Sequence, residues 1–333
     1  MKKDNFQILL QRYFLERLIN QRNVSHCTIS SYRDTFRLLL KYLKEEKKCA
    51  PDKLTIDLIS AENVLDFLKH LKVVRGNTIS TVNNRLAAIH SFMDYVAYQN
   101  PEYLFIVQQV RAIPYKKNES KVLEYLSAVE VEAILNCCDL KTSSGRRDRI
   151  MVALFYNTGV RVTELLSVKI SDISINQNAT STVQILGKGR KHRIVPLWRT
   201  TTAFLAEYIR ENDKKGDDYL FTANSGQQLS RSGAKYRLDC LIKSSSIACP
   251  SLKRKTVTPH TFRHTTAMHL LQAGVDLSTI AIWLGHESIE TTHKYMTADL
   301  HLKECALSQV KEPDVKGFRY KPSNDVLSFL DCL

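Results

Sequence analysis

The sequence predicts a mainly α-helical protein of two domains, with one small β-hairpin in the second domain. Its 333 residues exceed the usual size of a single domain. Apolar residues recur at helical spacing through most of the chain, and only residues 181–197 carry a convincing β signal. We place the parts of the chain as follows: a helical domain at 1–110, a linker at 111–122, a second domain at 123–310 and a tail at 311–333.

Four helices are predicted in the first domain. Residues 5–19 and a segment that opens near Thr28 each carry large apolar side chains at helical spacing, and Ala61–Leu71 forms the third helix. The fourth has the clearest pattern, because its apolar residues step by three and four from Ile79 to Val96. The domain is therefore expected to be all-α, with polar and basic faces outward.

The linker and the opening of the second domain are marked by local composition. Residues 111–122 have no periodicity and carry four basic side chains, which is typical of a linker. Ser127–Glu130 matches a capping box ahead of an apolar run, so a helix should begin there. Further helices are predicted at 149–156, ending near Gly159, at 199–210 and at 231–243.

The β-hairpin is predicted from two runs that begin at Ser181 and Arg193. They flank Gly187–His192, in which four of six residues are Lys, Arg or His. A basic tip of this kind is often only a soluble turn. Two glycines bracket Lys188, however, which suggests a lysine held on a mobile finger.

An arginine and a glutamate follow the turn at Gly159. That glycine allows the backbone to reverse, and Arg161 then emerges where two helices meet. Glu164, three residues on, is placed to hold the guanidinium or to cap the new helix. An isolated pair like this is also typical of an ordinary surface ion pair.

A helix rich in functional side chains is predicted to begin at Thr258. The threonine suits an N-cap, a proline follows it, and Gly274 marks the C-terminal stop. His260, Arg263 and His264 then fall within the first turn or so. These residues are candidates for binding or transforming an anion.

A second short helix completes this stretch. Ser278–Leu284 is predicted to end at Gly285, and His286 follows at once. Tyr295 lies in a polar segment that we expect to be exposed. Histidines, an arginine and an accessible tyrosine, brought together by two helix ends, indicate a site for phosphate chemistry. Read alone, the stretch is also compatible with a nuclease or a zinc centre.

Charge and cysteine usage narrow the class of protein. The net charge is +14, and basic residues exceed acidic ones both in residues 1–122 and in the remainder, which suits a protein that grips a polyanion from two sides. The eight cysteines form no regular framework, as expected of reduced thiols in a cytosol. Charged residues interrupt the N-terminus, and no apolar run approaches the ~20 residues that span a bilayer. We expect a soluble cytoplasmic protein.

The candidate residues together resemble the signature of the tyrosine recombinase, or phage integrase, family. The resemblance rests on Thr-Gly-x-Arg-x-x-Glu-Leu, Gly-Lys-Gly-x-Lys-x-Arg-x-Val-Pro-Leu, and His-x-x-Arg-His followed by Leu-Gly-His. It covers roughly residues 5–300, and no catalytic position departs from the pattern. Phe262, where leucine is commoner, is a conservative core change. The residues that carry the resemblance are Arg161, Lys188, His260, Arg263, His286 and Tyr295.

The resemblance implies a fold and a reaction. A helical core-binding domain and a catalytic domain would form a C-shaped clamp on duplex DNA, and Tyr295 would form a 3′-phosphotyrosine intermediate during site-specific recombination. The planar forks of Arg161 and Arg263 suit the charge that builds on two phosphate oxygens. By resemblance the remaining roles are general base for His260, leaving-group acid for Lys188, hydrogen-bond donor for His286 and support for Glu164.

The resemblance also implies partners. We expect duplex DNA with inverted-repeat core sites, bound by a homotetramer, or a heterotetramer with related recombinases, on two sites, and no membrane. Residues 311–333 would dock on the neighbouring subunit. The candidate DNA-binding residues are Asn83, Asn84, Arg85, Lys116, Lys117, Arg190 and Lys191.

Alternatives remain at this point. His260 and His264 lie four apart and could share a zinc ion, but His269 turns to the far side of the helix and Arg263 places a cation within the site. We therefore expect no metal and no cofactor. Relaxation of DNA by a type IB topoisomerase, or binding by a catalytically silent relative, would use similar residues. Integration or excision of a mobile element, transposition and dimer resolution stay open as biological roles.

Overall fold

The computed structural model describes residues 6–48, 54–117, 124–176, 179–187, 191–223, 225–286, 292 and 295. The chain divides into two compact units, Met1–Lys121 and Val122–Leu333, and each has its own hydrophobic core. The predicted fold class is confirmed, because the units are mainly helical and the second contains one small antiparallel sheet. No helix in the described part of the chain combines the length and apolarity needed to cross a bilayer.

In the described residues of the first unit, the four predicted α-helices are present together with one more. Serine or threonine side chains cap α2, α3 and α4 by accepting a backbone N–H from the first turn. The additional helix, α5, is only eight residues long and exposes Phe105, so its period is too weak to recognise from sequence. The bounds are α1 Phe6–Arg12, continuing as a π-helical segment Tyr13–Gln21, then α2 His26–Glu46, α3 Ala61–Val73, α4 Ile79–Gln99 and α5 Leu104–Arg111.

Aromatic side chains fill the centre of this unit. Tyr13 and Phe36 both meet Phe92 edge to face, with ring centroids 5.4 and 5.2 Å apart. The Tyr13 hydroxyl satisfies its hydrogen-bonding capacity with Ser91 Oγ at 2.7 Å. These contacts fix the π-helical segment and α2 against α4, whose apolar stripe is the one predicted from the sequence.

The described part of the predicted linker packs on α4. Ile113 is buried, and the Tyr115 hydroxyl lies 3.3 Å from His90 Nδ1. Asn83 accepts a hydrogen bond from the Lys116 backbone N–H and donates one to its carbonyl. Residues 111–117 are therefore held by specific contacts rather than extending as the loose connection that their composition suggests.

The second unit is built around one buried helix, α7. Its side chains from Ile150 to Phe155 are buried, and the ring of Phe155 stacks on Phe262 of α11 at 6.1 Å. The predicted capping box at Ser127 and the helix stop at Gly159 are both present. The helices are α6 Ala128–Asn136, α7 Ser143–Thr158, α8 Val162–Leu166, α9 Arg199–Glu211, α10 Arg231–Ala248, α11 Pro259–Gln272 and α12 Leu277–Leu284.

The sheet has three strands in the order β1 Ile173–Ser174, β2 Thr182–Leu186 and β3 His192–Pro196. The predicted hairpin is β2 and β3, which pair antiparallel with Val183 opposite Val195. The Gly187 N–H donates to the Lys191 carbonyl at 2.8 Å and so closes the base of the hairpin loop. Residues 188–190 at its tip, and the tail at 311–333, lie outside the described residues.

Candidate active site

Two helix ends meet at the centre of the second unit. Helix α7 ends at Gly159, with φ of 58°, and α12 ends at Gly285, with φ of 66°, both in the left-handed region that favours glycine. A Cβ added to Gly159 would overlap Leu284 Cδ2, so a larger residue does not fit there. The close approach brings the carbonyl ends of two helices to one place.

Arg263 bridges these two helix ends from α11. Its NH1 donates to the Gly159 carbonyl and its NH2 to the Leu284 carbonyl, both at 2.8 Å. Carbonyls at a helix C-terminus lack intrahelical donors, so the guanidinium satisfies them. Arg263 is 4% exposed. Burial, together with the nearby charge of Arg161, lowers its pKa to about 10, so it stays protonated at neutral pH.

Glu164 joins two arginines on the other side of the site. Arg161 NH1 donates to its Oε1 at 2.8 Å, and Arg193 NH2 donates to its Oε2 at 2.7 Å. Oε2 also accepts the backbone N–H of Arg161 and thereby caps α8. Burial acts to raise the pKa of Glu164, but the hydrogen bonds from Arg193 and Arg161 outweigh it and hold the pKa below its ordinary value. Glu164 therefore both holds the Arg161 guanidinium and caps α8, the two roles that its spacing predicts.

Tyr295 lies beside this cluster and is 1% exposed. Its hydroxyl is 3.0 Å from His264 Nδ1, and its ring lies nearly parallel to that of His286, with centroids 6.3 Å apart. Burial raises the pKa of the hydroxyl, while the charges of Arg263 and Arg161 act in the opposite direction. The site therefore places a tyrosine among two histidines and two arginines.

The prediction that Tyr295 is exposed is wrong for this structure. Tyr295 packs with Met268 of α11 and Leu284 of α12. Thr292, three residues earlier, is also buried and lies 2.8 Å from His286 Nδ1 through its hydroxyl. A spacing of three places both residues on one face of a helical turn, and this face points inward despite the polar composition of the segment.

The hydrogen bonds described above do not include the other two predicted catalytic residues, His260 and Lys188. His260 is exposed in the first turn of α11, where Thr258 caps the helix by accepting the Thr261 N–H. It precedes Arg263 by three residues and so lies on the same side of the helix. Lys188 lies outside the described residues, as does Arg190.

The candidate DNA-binding residues that the structure describes fall into two groups. Asn84, Lys116, Lys117 and Lys191 are exposed. Asn83 is half-buried and holds the Lys116 backbone, while Arg85 donates from NH1 to the Ser31 carbonyl and to Thr35 Oγ1. Asn83 and Arg85 thus have structural contacts within the first unit, and a contact of any of these residues with DNA stays a prediction.

The histidines of α11 have separate partners. His264 meets Tyr295, whereas His269 Nδ1 lies 2.8 Å from the Tyr156 hydroxyl. Among the residues that the structure describes, no three His, Cys, Asp or Glu side chains are grouped so that they could hold a metal ion.

Sequence reasoning gave no catalytic or supporting role to two residues of the site, Arg193 and His264, although both stand in the motifs that carry the resemblance. Arg193 carried a usable signal, because it lies two residues before the buried Val195 and therefore on the inner face of β3. His264 was placed with His260 and Arg263 in the first turns of the helix, but nothing local to the sequence places it against a tyrosine 31 residues away.

Models of two protein families match this chain. The model described as "Phage integrase family" matches residues 124–301, and "Phage integrase, N-terminal SAM-like domain" matches residues 12–100. The two matches fall in the second and first units respectively.

Similar proteins and a similar solved structure are also found. The chain is 41% identical over 325 residues to "Putative integrase/recombinase y4rC" of Sinorhizobium fredii, which covers 98% of this chain and 97% of that protein. It is 32% identical over 298 residues to tyrosine recombinase XerD of Listeria monocytogenes, which covers 87% and 95%. The crystal structure of XerH site-specific recombinase bound to palindromic difH substrate, a post-cleavage complex, gives a TM-score of 0.69 at 25% identity and covers 86% and 81%.

Proposed function

The chain belongs to the phage integrase family and is a DNA strand transferase, and we propose that Tyr295 is the nucleophile with which it cuts and rejoins duplex DNA. One observation carries the proposal: the Tyr295 side chain lies between His264 and His286 and within the electrostatic influence of Arg161 and Arg263. A tyrosine hydroxyl is a weak nucleophile until a base and nearby cations favour its ionised form.

The arginines supply the charge that the reaction needs. Attack on a phosphodiester places negative charge on two non-bridging oxygens, and guanidinium forks bind such oxygens in pairs. Arg263 donates one N–H from each terminal nitrogen to the helix-end carbonyls, which leaves one on each nitrogen for the phosphate. The Arg161 side chain is 33% exposed and is fixed by Glu164.

The proton transfers follow from these roles. The Tyr295 oxygen bonds to phosphorus while its proton passes to His260, and the bond from phosphorus to the 5′ oxygen breaks. Lys188 gives a proton to the leaving 5′ oxygen, and His286 donates a hydrogen bond to the phosphate. The product is a 3′-phosphotyrosine and a free 5′-hydroxyl. Attack by another 5′-hydroxyl reverses these steps, so rejoining needs no nucleotide cofactor.

The described conformation keeps the Tyr295 hydroxyl on His264. Tyr295 is buried, and its hydroxyl is hydrogen-bonded to His264. Cleavage requires that this hydroxyl leave His264 and reach the phosphate. We therefore expect the Tyr295 hydroxyl to exchange its contact with His264 for one with the phosphate when DNA binds.

The proposed biological role is movement of a mobile element. Four protomers would act on two inverted-repeat core sites, with paired cleavages, a Holliday junction and a second pair of cleavages. The identity to y4rC, named an integrase/recombinase, is higher than the identity to XerD, which favours this role over dimer resolution. The DNA on either side of the gene tests the choice, because a mobile element would leave inverted repeats or neighbouring recombinase genes there.

The test of the chemistry is a suicide cleavage assay on sites chosen by the protein itself. Duplexes that the wild-type protein retains from a random pool are sequenced, and the consensus is rebuilt with a nick close to the cleavage position, so that the short 5′-hydroxyl fragment diffuses away. We expect a covalent adduct on a denaturing gel, with the DNA joined through its 3′ phosphate, and no adduct from Tyr295→Phe.

A matched variant controls for loss of any tyrosine hydroxyl. Tyr98 is 78% exposed on α4, and Tyr98→Phe should form the adduct at the wild-type rate. Retention of DNA without any adduct would contradict catalysis and leave only binding. An adduct that persists in Tyr295→Phe would show that another residue is the nucleophile.

A further inference from the structure

Arg193 of β3 lies where several parts of the site meet. Its NH2 donates to Glu164 Oε2 at 2.7 Å, and the other oxygen of this carboxylate accepts from Arg161. Its guanidinium also lies against the turn that ends α12, because a Cβ added to Gly285 would be 2.9 Å from Arg193 NH1. The side chain is 10% exposed, so these are contacts of a packed group.

The turn that Arg193 touches also holds the second arginine of the site. Arg263 NH2 donates to the carbonyl of Leu284, the residue before Gly285. His286 follows directly after that glycine. Arg193 therefore contacts both the carboxylate that fixes Arg161 and the backbone beside the carbonyl that fixes Arg263.

We propose that Arg193 is a positioning residue for strand transfer, which holds Arg161 through Glu164 and Arg263 through the Gly285 turn at the separation that one phosphate requires. The proposal rests on the proposed function. It adds a residue whose described contacts include neither the nucleophile nor the free N–H groups of Arg263.

The physical reason lies in how a carboxylate is oriented. The terminal torsion of a glutamate is broad, so one hydrogen bond does not fix the plane of its two oxygens. With Arg193 on Oε2 and Arg161 on Oε1, Glu164 is held at both oxygens. Without Arg193, the buried carboxylate loses one partner and can turn, and Arg161 turns with it. A misplacement of about 1 Å at a reacting centre costs on the order of 100-fold in rate.

The test compares Arg193→Gln with wild type on two suicide substrates, one with an ordinary scissile phosphate and one with a methylphosphonate in its place. The methyl group replaces a charged oxygen of the phosphate. Less negative charge then develops in the transition state, and cleavage depends less on the two arginines. Cleavage of the phosphate should fall about 100-fold, and the deficit should shrink at least ~10-fold on the methylphosphonate. Arg147→Gln, which breaks a buried pair with Asp148 away from these residues, should show the same deficit on both substrates.

A double variant separates positioning from direct contact with the phosphate. If Arg193 holds Arg161 through Glu164, the deficit of the double variant Arg193→Gln, Glu164→Gln should be smaller than the product of the two single deficits, and the remaining effect of Arg193→Gln belongs to the Gly285 turn. Losses that multiply would overturn the proposal, as would an equal deficit of Arg193→Gln on the two substrates. Arg193→Lys keeps a positive charge beside Glu164 but lacks the guanidinium fork. It should show a smaller cleavage deficit than Arg193→Gln, again larger on the phosphate than on the methylphosphonate. This variant provides the test if Arg193→Gln does not fold.

The outcomes for this proposal and for the proposed function are distinct. Absence of an adduct from wild-type protein would contradict the nucleophilic role of Tyr295. A wild-type adduct together with unimpaired cleavage by Arg193→Gln would contradict the role of Arg193 alone.

Discussion

The contact between the ends of α7 and α12 can be tested by adding a single methyl group. In Gly159→Ala, the new Cβ overlaps Leu284 Cδ2, and Leu284 is fully buried. Gly216→Ala is the matched control, because that glycine also has a positive φ, of 47°, but no atom lies within 4 Å of the added Cβ. The two variants share the backbone cost and differ in the steric overlap.

The structure gives the expected magnitudes. A left-handed conformation costs alanine roughly 1–2 kcal/mol, part of which is offset by the lower entropy of the unfolded chain. Gly216→Ala should therefore lower the free energy of unfolding by about 1 kcal/mol. Overpacking of a well-packed core adds about 1–3 kcal/mol, so Gly159→Ala should lose about 2–4 kcal/mol in total.

Urea denaturation followed by tryptophan fluorescence measures this difference. The chain has two tryptophans, Trp198 and Trp283, and both lie in the second unit, so the signal reports the unit that carries the change. Equal losses in Gly159→Ala and Gly216→Ala would refute the reasoning, because Leu284 would then have room to move. A loss of adduct formation only in Gly159→Ala would further support the role of its carbonyl in holding Arg263.

Three further predictions follow from buried groups. The pKa of Glu164 is depressed in the folded state. The difference in free energy of unfolding between wild type and Glu164→Gln should therefore be fully present above about pH 5 and should shrink as the pH falls through the folded-state pKa. Urea denaturation at a series of pH values measures this difference. The pKa of Tyr295 is raised, so the ultraviolet difference titration of wild type against Tyr295→Phe should show ionisation above about pH 10, and a lower midpoint would contradict its burial. Glu130 caps α6 and pairs with Lys255 at 2.6 Å. Glu130→Ala should therefore lower the free energy of unfolding by about 2–3 kcal/mol, measured by fluorescence-detected denaturation. Asp217→Ala, which removes an exposed carboxylate, should change this free energy little.

The parts of the fold that sequence predicted are those determined within a few residues. The capping box at Ser127, the N-cap at Thr258 and the stops at Gly159 and Gly285 each depend on side chains or backbone angles of adjacent residues. The contact of Glu164 with Arg161 belongs to the same class, because three residues separate them. Such features are readable because their partners are fixed by helical geometry.

The parts that sequence did not predict depend on distant contacts. Arg193 meets a carboxylate 29 residues away, and His264 meets a tyrosine 31 residues away. The inward orientation of Tyr295 depends on space between α11 and α12, which no property of its own polar segment reveals. Local signals and the quoted motifs therefore selected the candidate residues, whereas tertiary packing determined how these side chains are presented.

The arrangement of charge explains why the site needs so much support from the backbone. The guanidinium groups of Arg161 and Arg193 both pair with the carboxylate of Glu164. Burial, together with the charges of Arg161 and Arg193, lowers the pKa of Arg263. The folded protein therefore bears the cost of desolvating and crowding these cations before DNA arrives. Donors fixed in this way need little reorganisation when negative charge develops on a phosphate, which is the condition under which electrostatic stabilisation of a transition state is largest. Under the proposed function, the helix-end carbonyls that hold Arg263 exchange some stability of the free protein for rate. Gly159 and Gly285, both left-handed, end their helices at this contact, and a Cβ on Gly159 would overlap Leu284 there.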